Sequence, residues 1–217
     1  GQVMKFVVVV IFIALALTIG VPMTAHSANI THSDSQIILE GKIKNEDYKE
    51  LQRVVDRTGI KSIRFNSDGG AAIEGYQIGY TIRKNKMSTV IKKGDRCLSA
   101  CAVAYLGGTN KYNYGILGFH VAWAQQSERD FNEGMRAGQL FGSIDSIYSF
   151  NMGYTAQLNF IISQITSKKD FLVLSLDDLK LFEMKDREYT DFQELPKNWM
   201  SDRLYNPLRL HLLTGGR

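Results

Sequence analysis

The chain has 217 residues, 44% of them hydrophobic, with 26 Lys plus Arg against 22 Asp plus Glu and a formal net charge of +4. That mild positive balance comes without a basic stripe or interleaved aromatics, which excludes the usual footprint of a nucleic-acid binder, and two cysteines with no histidine nearby make too small a ligand set for a zinc site. With an apolar N-terminal segment set aside, about 190 residues remain, enough for one domain with a substantial core.

Met4-Lys5, the apolar run from Phe6 to Leu17 and the small-x-small site Ala25-His26-Ser27 make up the three parts of a secretory signal, with Gly1-Gln2-Val3 as an extension ahead of Met4. Cleavage is expected after Ser27; left uncleaved, Phe6 to Val21 would be a rather short membrane anchor. The organisation expected is therefore a signal over 1–27, one domain over 28–186 and a tail over 187–217 with no chemistry to read.

Ile37 to Ile43 reads as a strand pair or a strand with a glycine bend, Asn45 to Asp56 as an amphipathic helix capped at or near Asn45 and ended by Gly59, and Lys61 to Phe65 as a second strand. That strand stops at Asn66-Ser67-Asp68-Gly69-Gly70, and a helical period follows over Ala71 to Ile82. Adjacent glycines permit positive φ and close backbone approach, so their amides can face a cavity and hold an oxyanion. The same order recurs 29 residues on, where strand Ser88 to Ile91 leads through Gly94-Asp95-Arg96 to Ser99 and the small-residue helix Ala100 to Tyr105. A serine at a strand-to-helix junction lies at the positive end of the helix dipole, and the amide of Ala100 is a second oxyanion donor.

A nucleophile there needs a base, and His120, after the apolar run Tyr114 to Phe119, is the histidine with a strand before it and a helix after it. Taken singly, such a serine is usually an N-cap, such a histidine a structural donor and Gly-Gly a turn. Their joint order is what points to nucleophilic catalysis. Cys97 and Cys101 bracket Ser99; an exported chain can bridge them, and two buried small hydrophobes are the equal alternative. Gln125 to Met152 is a helix-forming run whose apolar residues read as a core face, and Asp177 with Asp178 as the cap of a last helix.

Asn66-Ser67-Asp68-Gly69-Gly70, Ser99 in Ser-Ala-Cys-Ala and His120 in Leu-Gly-Phe-His resemble, over about residues 35–185, the Clp protease proteolytic subunit and crotonase superfamily, in particular its small exported, periplasmic serine-protease-like members. The resemblance implies an α/β fold, a single-domain spiral of repeated ββα units, in which Gly70 and Ala100 supply the oxyanion hole and the 125–152 region supplies homo-oligomer contacts. It also implies a third catalytic residue just before a short strand, where Asp170 matches best. The activity expected is hydrolysis of short or unfolded peptides by Ser99, His120 and Asp170, with no cofactor and no metal.

Asp68 stands where the family has proline and would oppose an oxyanion if it pointed inward; Val121 replaces a frequent glutamine, and Leu98 is bulkier than usual before the serine. The alternative function is a non-catalytic peptide binder working by strand addition. A serine–lysine dyad and, last, crotonase-type thioester chemistry complete the set.

Overall fold

The computed structural model describes residues 28–121, 131–165, 169–184, 198–199 and 201–205. The expected signal over 1–27, the residues just after Val121 and most of the 187–217 tail lie outside those.

Alternation of apolar and polar residues builds the first sheet. Ile37 and Leu39 of β2 (Ile37–Glu40) and Ile63 and Phe65 of β3 (Ser62–Asn66) all turn inward with no exposed surface. β1 (Asn29–His32) pairs antiparallel with β2, and β3, β4 (Ser88–Ile91) and β6 (Lys111–Asn113) follow in parallel, in the order β1-β2-β3-β4-β6. The chain bends after β2 at Gly41, with φ at 89°, so the expected glycine bend is present. A second sheet takes β5 (Arg96–Leu98), β7 (Ile116–Phe119), β8 (Phe171–Val173) and β9 (Leu204–Tyr205) in the order β5-β7-β8-β9. Single bridges, Ile43 to Gly70 and Ser67 to Cys97, flank the glycine turn and the strand that leads to Ser99.

Helix α1 (Asp47–Thr58) buries Leu51, Val54 and Val55 on one face and ends at left-handed Gly59, whose N–H donates to the Val55 carbonyl at 2.8 Å. Its cap position is Glu46, the residue next to Asn45, and the Asp47 carboxylate accepts from the Lys44 N–H at 2.8 Å. Helices α2 (Ala72–Lys84) and α3 (Ala100–Tyr105) pack closely because the contact is made of small residues: a Cβ on Gly75 would fall 2.5 Å from the Ala100 carbonyl oxygen. This close approach sets the two glycine-turn and serine-turn helices side by side.

Helix α4 (Phe131–Asn151) runs through Gly134, Gly138 and Gly142 without a break. The core-face reading of this run fails for much of its length: Tyr148 and Met152 are buried, whereas Met135 is 49%, Leu140 61% and Ile147 61% exposed. Among the described residues its side-chain bonds to the rest of the domain come from the 145–151 end, where Tyr76 donates to Asp145, Tyr148 Oη donates to the Val103 carbonyl at 2.7 Å and Asn151 donates to Tyr80 at 3.0 Å. Helix α5 (Ala156–Ser163) follows, and α6 (Leu176–Lys180) is capped by Ser175 with Asp178 closing a capping box. The Asp177–Asp178 cap is thereby corrected to Ser175: a hydroxyl at the cap itself reaches the free N–H of Asp178, which a residue already inside the helix cannot do for itself.

Candidate active site

Ser99 follows β5 directly and precedes the first residue of α3, so the chain must turn from strand to helix within one residue. It does so with φ 56° and ψ −125° at Ser99, a conformation that L residues rarely adopt and that costs on the order of 1–3 kcal/mol. The Ser99 N–H donates to the Gly118 carbonyl of β7 at 2.9 Å, which aligns the turn with the strand that ends just before His120. Although Ser99 occupies the cap position of α3, its side chain makes no capping bond. Its Oγ lies 2.6 Å from His120 Nε2 instead.

The two residues thus meet across adjacent parallel strands, β5 and β7, each just past the strand's carboxyl end. Gly118 makes this approach feasible: a Cβ there would strike Leu98 Cδ2 at 2.7 Å, so the bulk of Leu98 is accommodated by the missing side chain opposite. Burial holds the imidazole below its ordinary pKa of 6.5, which favours the neutral ring that accepts a proton. His120 Nδ1 is buried and has no hydrogen-bond partner among the described residues.

Asp170 lies just ahead of β8, as expected, yet no hydrogen bond joins it to Nδ1. The register explains this. The ladder ends with Phe119 paired to Leu172, and the same register carried one step on would bring Phe171 beside His120 and leave Asp170 one residue further along, next to Val121. The Phe171 ring accordingly lies against the imidazole, with centroids 4.7 Å apart and planes at 42°. Sequence reasoning missed Phe171, and the signal available was its position one residue from the aspartate on an antiparallel neighbour.

The glycine turn reaches the same place. A Cβ on Gly69 would fall 2.7 Å from Ser99 Cβ and 3.0 Å from the Ala100 nitrogen, so the bare backbone of the turn touches the serine turn. Ile43 donates to the Gly69 carbonyl at 2.8 Å and accepts from the Ala71 N–H at 3.0 Å. In a parallel bridge of that pattern the intervening amide faces away from the partner strand, so the exposed Gly70 N–H is left out of this pairing. Ala100 opens α3, where an N–H has no intrahelical acceptor. Ala100, next to Ser99, and Gly70, next to the Gly69 that touches Ser99, are therefore two amides that the local backbone pattern does not consume.

Asp68 does not turn inward. It is 60% exposed and pairs with Arg96, whose Nη2 donates to Oδ2 at 2.7 Å. The pair borders a cleft of about 500 Å³ that runs from Glu40 and Lys42 across the glycine turn to Arg96; Ser99 meets this cleft through Gly69 and is not part of its wall. Cys97 and Cys101 are joined in a disulfide, which decides between the bridge and two free thiols.

No family model matches the chain, and no curated protein matches it. Solved structures do. An Asn-to-Asp mutant of ClpP1 from Listeria monocytogenes superimposes with a TM-score of 0.50 at 15% identity, over 71% of this chain and 93% of that one. ClpP1 from Listeria monocytogenes itself gives 0.48 at 15% identity, over 69% and 88%. A Ser-to-Ala mutant of the membrane-bound stomatin-specific protease 1510-N gives 0.49 at 14%, over 69% and 74%. The first of these defines the class of fold: a mixed α/β domain like that of ClpP1.

Proposed function

We propose that this chain is an exported serine hydrolase, a peptidase acting on short or unfolded peptides, with Ser99 as nucleophile and His120 as general base. The observation that carries the reading is the 2.6 Å approach of Ser99 Oγ to His120 Nε2 from a turn whose backbone is held in a rare conformation while the hydroxyl forgoes its cap. The hydroxyl proton passes to Nε2 as Oγ bonds to the carbonyl carbon. The amides of Gly70 and Ala100 hold the resulting oxyanion, and the imidazolium returns its proton to the leaving amine. Water then repeats the sequence on the acyl-enzyme. Peptides are the first substrate class to test, since the fold is like that of ClpP1 and the motifs around Ser99 and His120 resemble those of the Clp protease proteolytic subunit.

Asp170 belongs to this reading as the orienting carboxylate only if its segment brings it to Nδ1; in the geometry described, Ser99 and His120 form a pair. The non-catalytic peptide binder loses its motive, because the Asp68 carboxylate is engaged by Arg96 outside the turn. Among the described residues no lysine bonds to the Ser99 hydroxyl, whose partner is His120, so the serine–lysine dyad has no support there. The repeated ββα spiral, the signal over 1–27 with delivery to the periplasm, and a homo-oligomer formed through α4 belong to the same proposal, the last supported by the exposed apolar residues of that helix.

A fluorophosphonate probe forms a bond from Ser99 Oγ to phosphorus and expels fluoride, so the wild type takes the label and Ser99→Ala does not. Equal labelling of both removes Ser99 as nucleophile.

A further inference from the structure

The turn that carries Ser99 is closed by a covalent link. Cys97 is the middle residue of β5, Cys101 is the second residue of α3, and the two are bridged with their Cα atoms 5.1 Å apart. Four residues of continuing strand would span about 13 Å. The link therefore forbids the chain from straightening at residues 98–100.

What else holds Ser99 is modest. Its N–H bonds to Gly118 at 2.9 Å, its carbonyl accepts from the Val103 N–H at 3.2 Å, and Gly69 packs on its Cβ. The side chain makes no capping bond within its own turn, so apart from its contact with His120 Nε2 the direction of Oγ follows from the backbone frame. A residue at φ 56° relaxes toward negative φ when its frame loosens, and that rotation carries the hydroxyl away from a ring that is itself fixed by strand β7 and the Phe171 contact.

We propose that the Cys97–Cys101 disulfide is a positioning element for the nucleophile, a clamp that holds Ser99 in its rare conformation and so keeps Oγ within reach of His120 Nε2. The inference rests on the serine-hydrolase reading and deepens it. Both cysteines are fully buried, so the bridge is a standing constraint shielded from reductants in solution. A loop this short gains little global stability from closure compared with a long one, and the consequence of closing it is local. An oxidising compartment is then a requirement of the site as well as a permission for the bridge.

The test compares three preparations: oxidised wild type, the same polypeptide made and kept reduced with two free thiols counted by alkylation and mass, and Cys97→Ala/Cys101→Ala. For each, fluorophosphonate labelling is separated into a maximal inactivation rate and a half-saturating probe concentration, alongside circular dichroism and a thermal melt. The expected result is a 10- to 100-fold lower maximal rate in both bridge-free forms, with half-saturation within twofold of wild type, a native spectrum, and recovery on reoxidation of the reduced wild type only. Folded bridge-free forms that label within twofold of the oxidised protein overturn the proposal. Loss of fold in both bridge-free forms also overturns it, because the bridge is then a staple of the whole domain. If oxidised wild type takes no label, the hydrolase reading itself falls, and the clamp with it.

Discussion

At Ser99 a hydroxyl that would ordinarily cap a helix is given up to an imidazole, and the proposed role of Ser99 as nucleophile rests on this exchange. The imidazole has a low affinity for protons because it is buried, and among the described residues no carboxylate is bonded to Nδ1. The base is active when neutral, so the acid limb of the labelling rate is expected to have its midpoint below 6.5; a midpoint above 6.5 would place an anion against the ring. Stability follows the same sign. The unfolded histidine takes its proton first, so stability contributed here is lost as pH falls through 6.5 toward the folded value. Asp170→Asn is expected to lower the labelling rate less than about tenfold, whereas an orienting carboxylate would cost roughly 10³ to 10⁴. At Gly70 a Cβ would lie 2.0 Å from the Ile43 carbonyl oxygen, with φ at 150°. Gly70→Ala is therefore expected to destabilise the fold by about 2 kcal/mol or more, and both the melting temperature and the labelling rate should fall.

Helix α4 is the element whose composition was most misleading. Its apolar residues suggested a core face, yet the 145–151 end alone carries the described anchoring bonds while Met135, Leu140, Ile147 and Phe150 remain exposed. Such a row is costly in water unless another surface covers it. Light scattering is expected to give a wild-type mass of two or more chains and a single-chain mass for Leu140→Glu/Ile147→Glu, with helix content unchanged. A monomeric wild type would refute the assembly. Periodicity shows that a helix has an apolar side, but what that side meets depends on where neighbouring elements lie. The small-residue helix α3 and strand β4, by contrast, fall where the sequence places them, because their patterns are bounded by turn residues. Strands β5, β6 and β9, of two or three residues each, are too short to carry a period.

For the molecule as a whole, Lys111 is a charge that the fold tolerates at a cost. Its amine lies 5.4 Å from the Tyr154 ring centre in a pocket shared with Leu179 and Glu183, and burial, aided by the nearby Arg83 guanidinium, pushes its pKa down to about 8. The unfolded lysine, near 10.5, binds the proton more tightly. The penalty is therefore full below pH 8, shrinks between about 8 and 10.5, and is gone above. Lys111→Met is expected to stabilise the domain at pH 7 by about 1–3 kcal/mol. Denaturant unfolding at pH 7 and pH 10 checks this, since the gain should shrink at the higher value; an equal gain at both would show that the charge is not the cause.

The sequence by itself determined the candidate serine and histidine, the glycine turn and the strand-turn-helix order that presents them, because these depend on residue type and local backbone freedom. Ser99, His120 and Gly70 were legible for that reason, as was the proximity of two cysteines five residues apart counted inclusively. Only the tertiary structure decided that Oγ and Nε2 meet, that Asp68 is drawn off by Arg96, that the Phe171 ring lies against the imidazole, and that α4 exposes Met135, Leu140, Ile147 and Phe150. Each of these turns on strand register or on a partner distant in sequence, and a shift of one residue in a β ladder reverses which side chain faces the site.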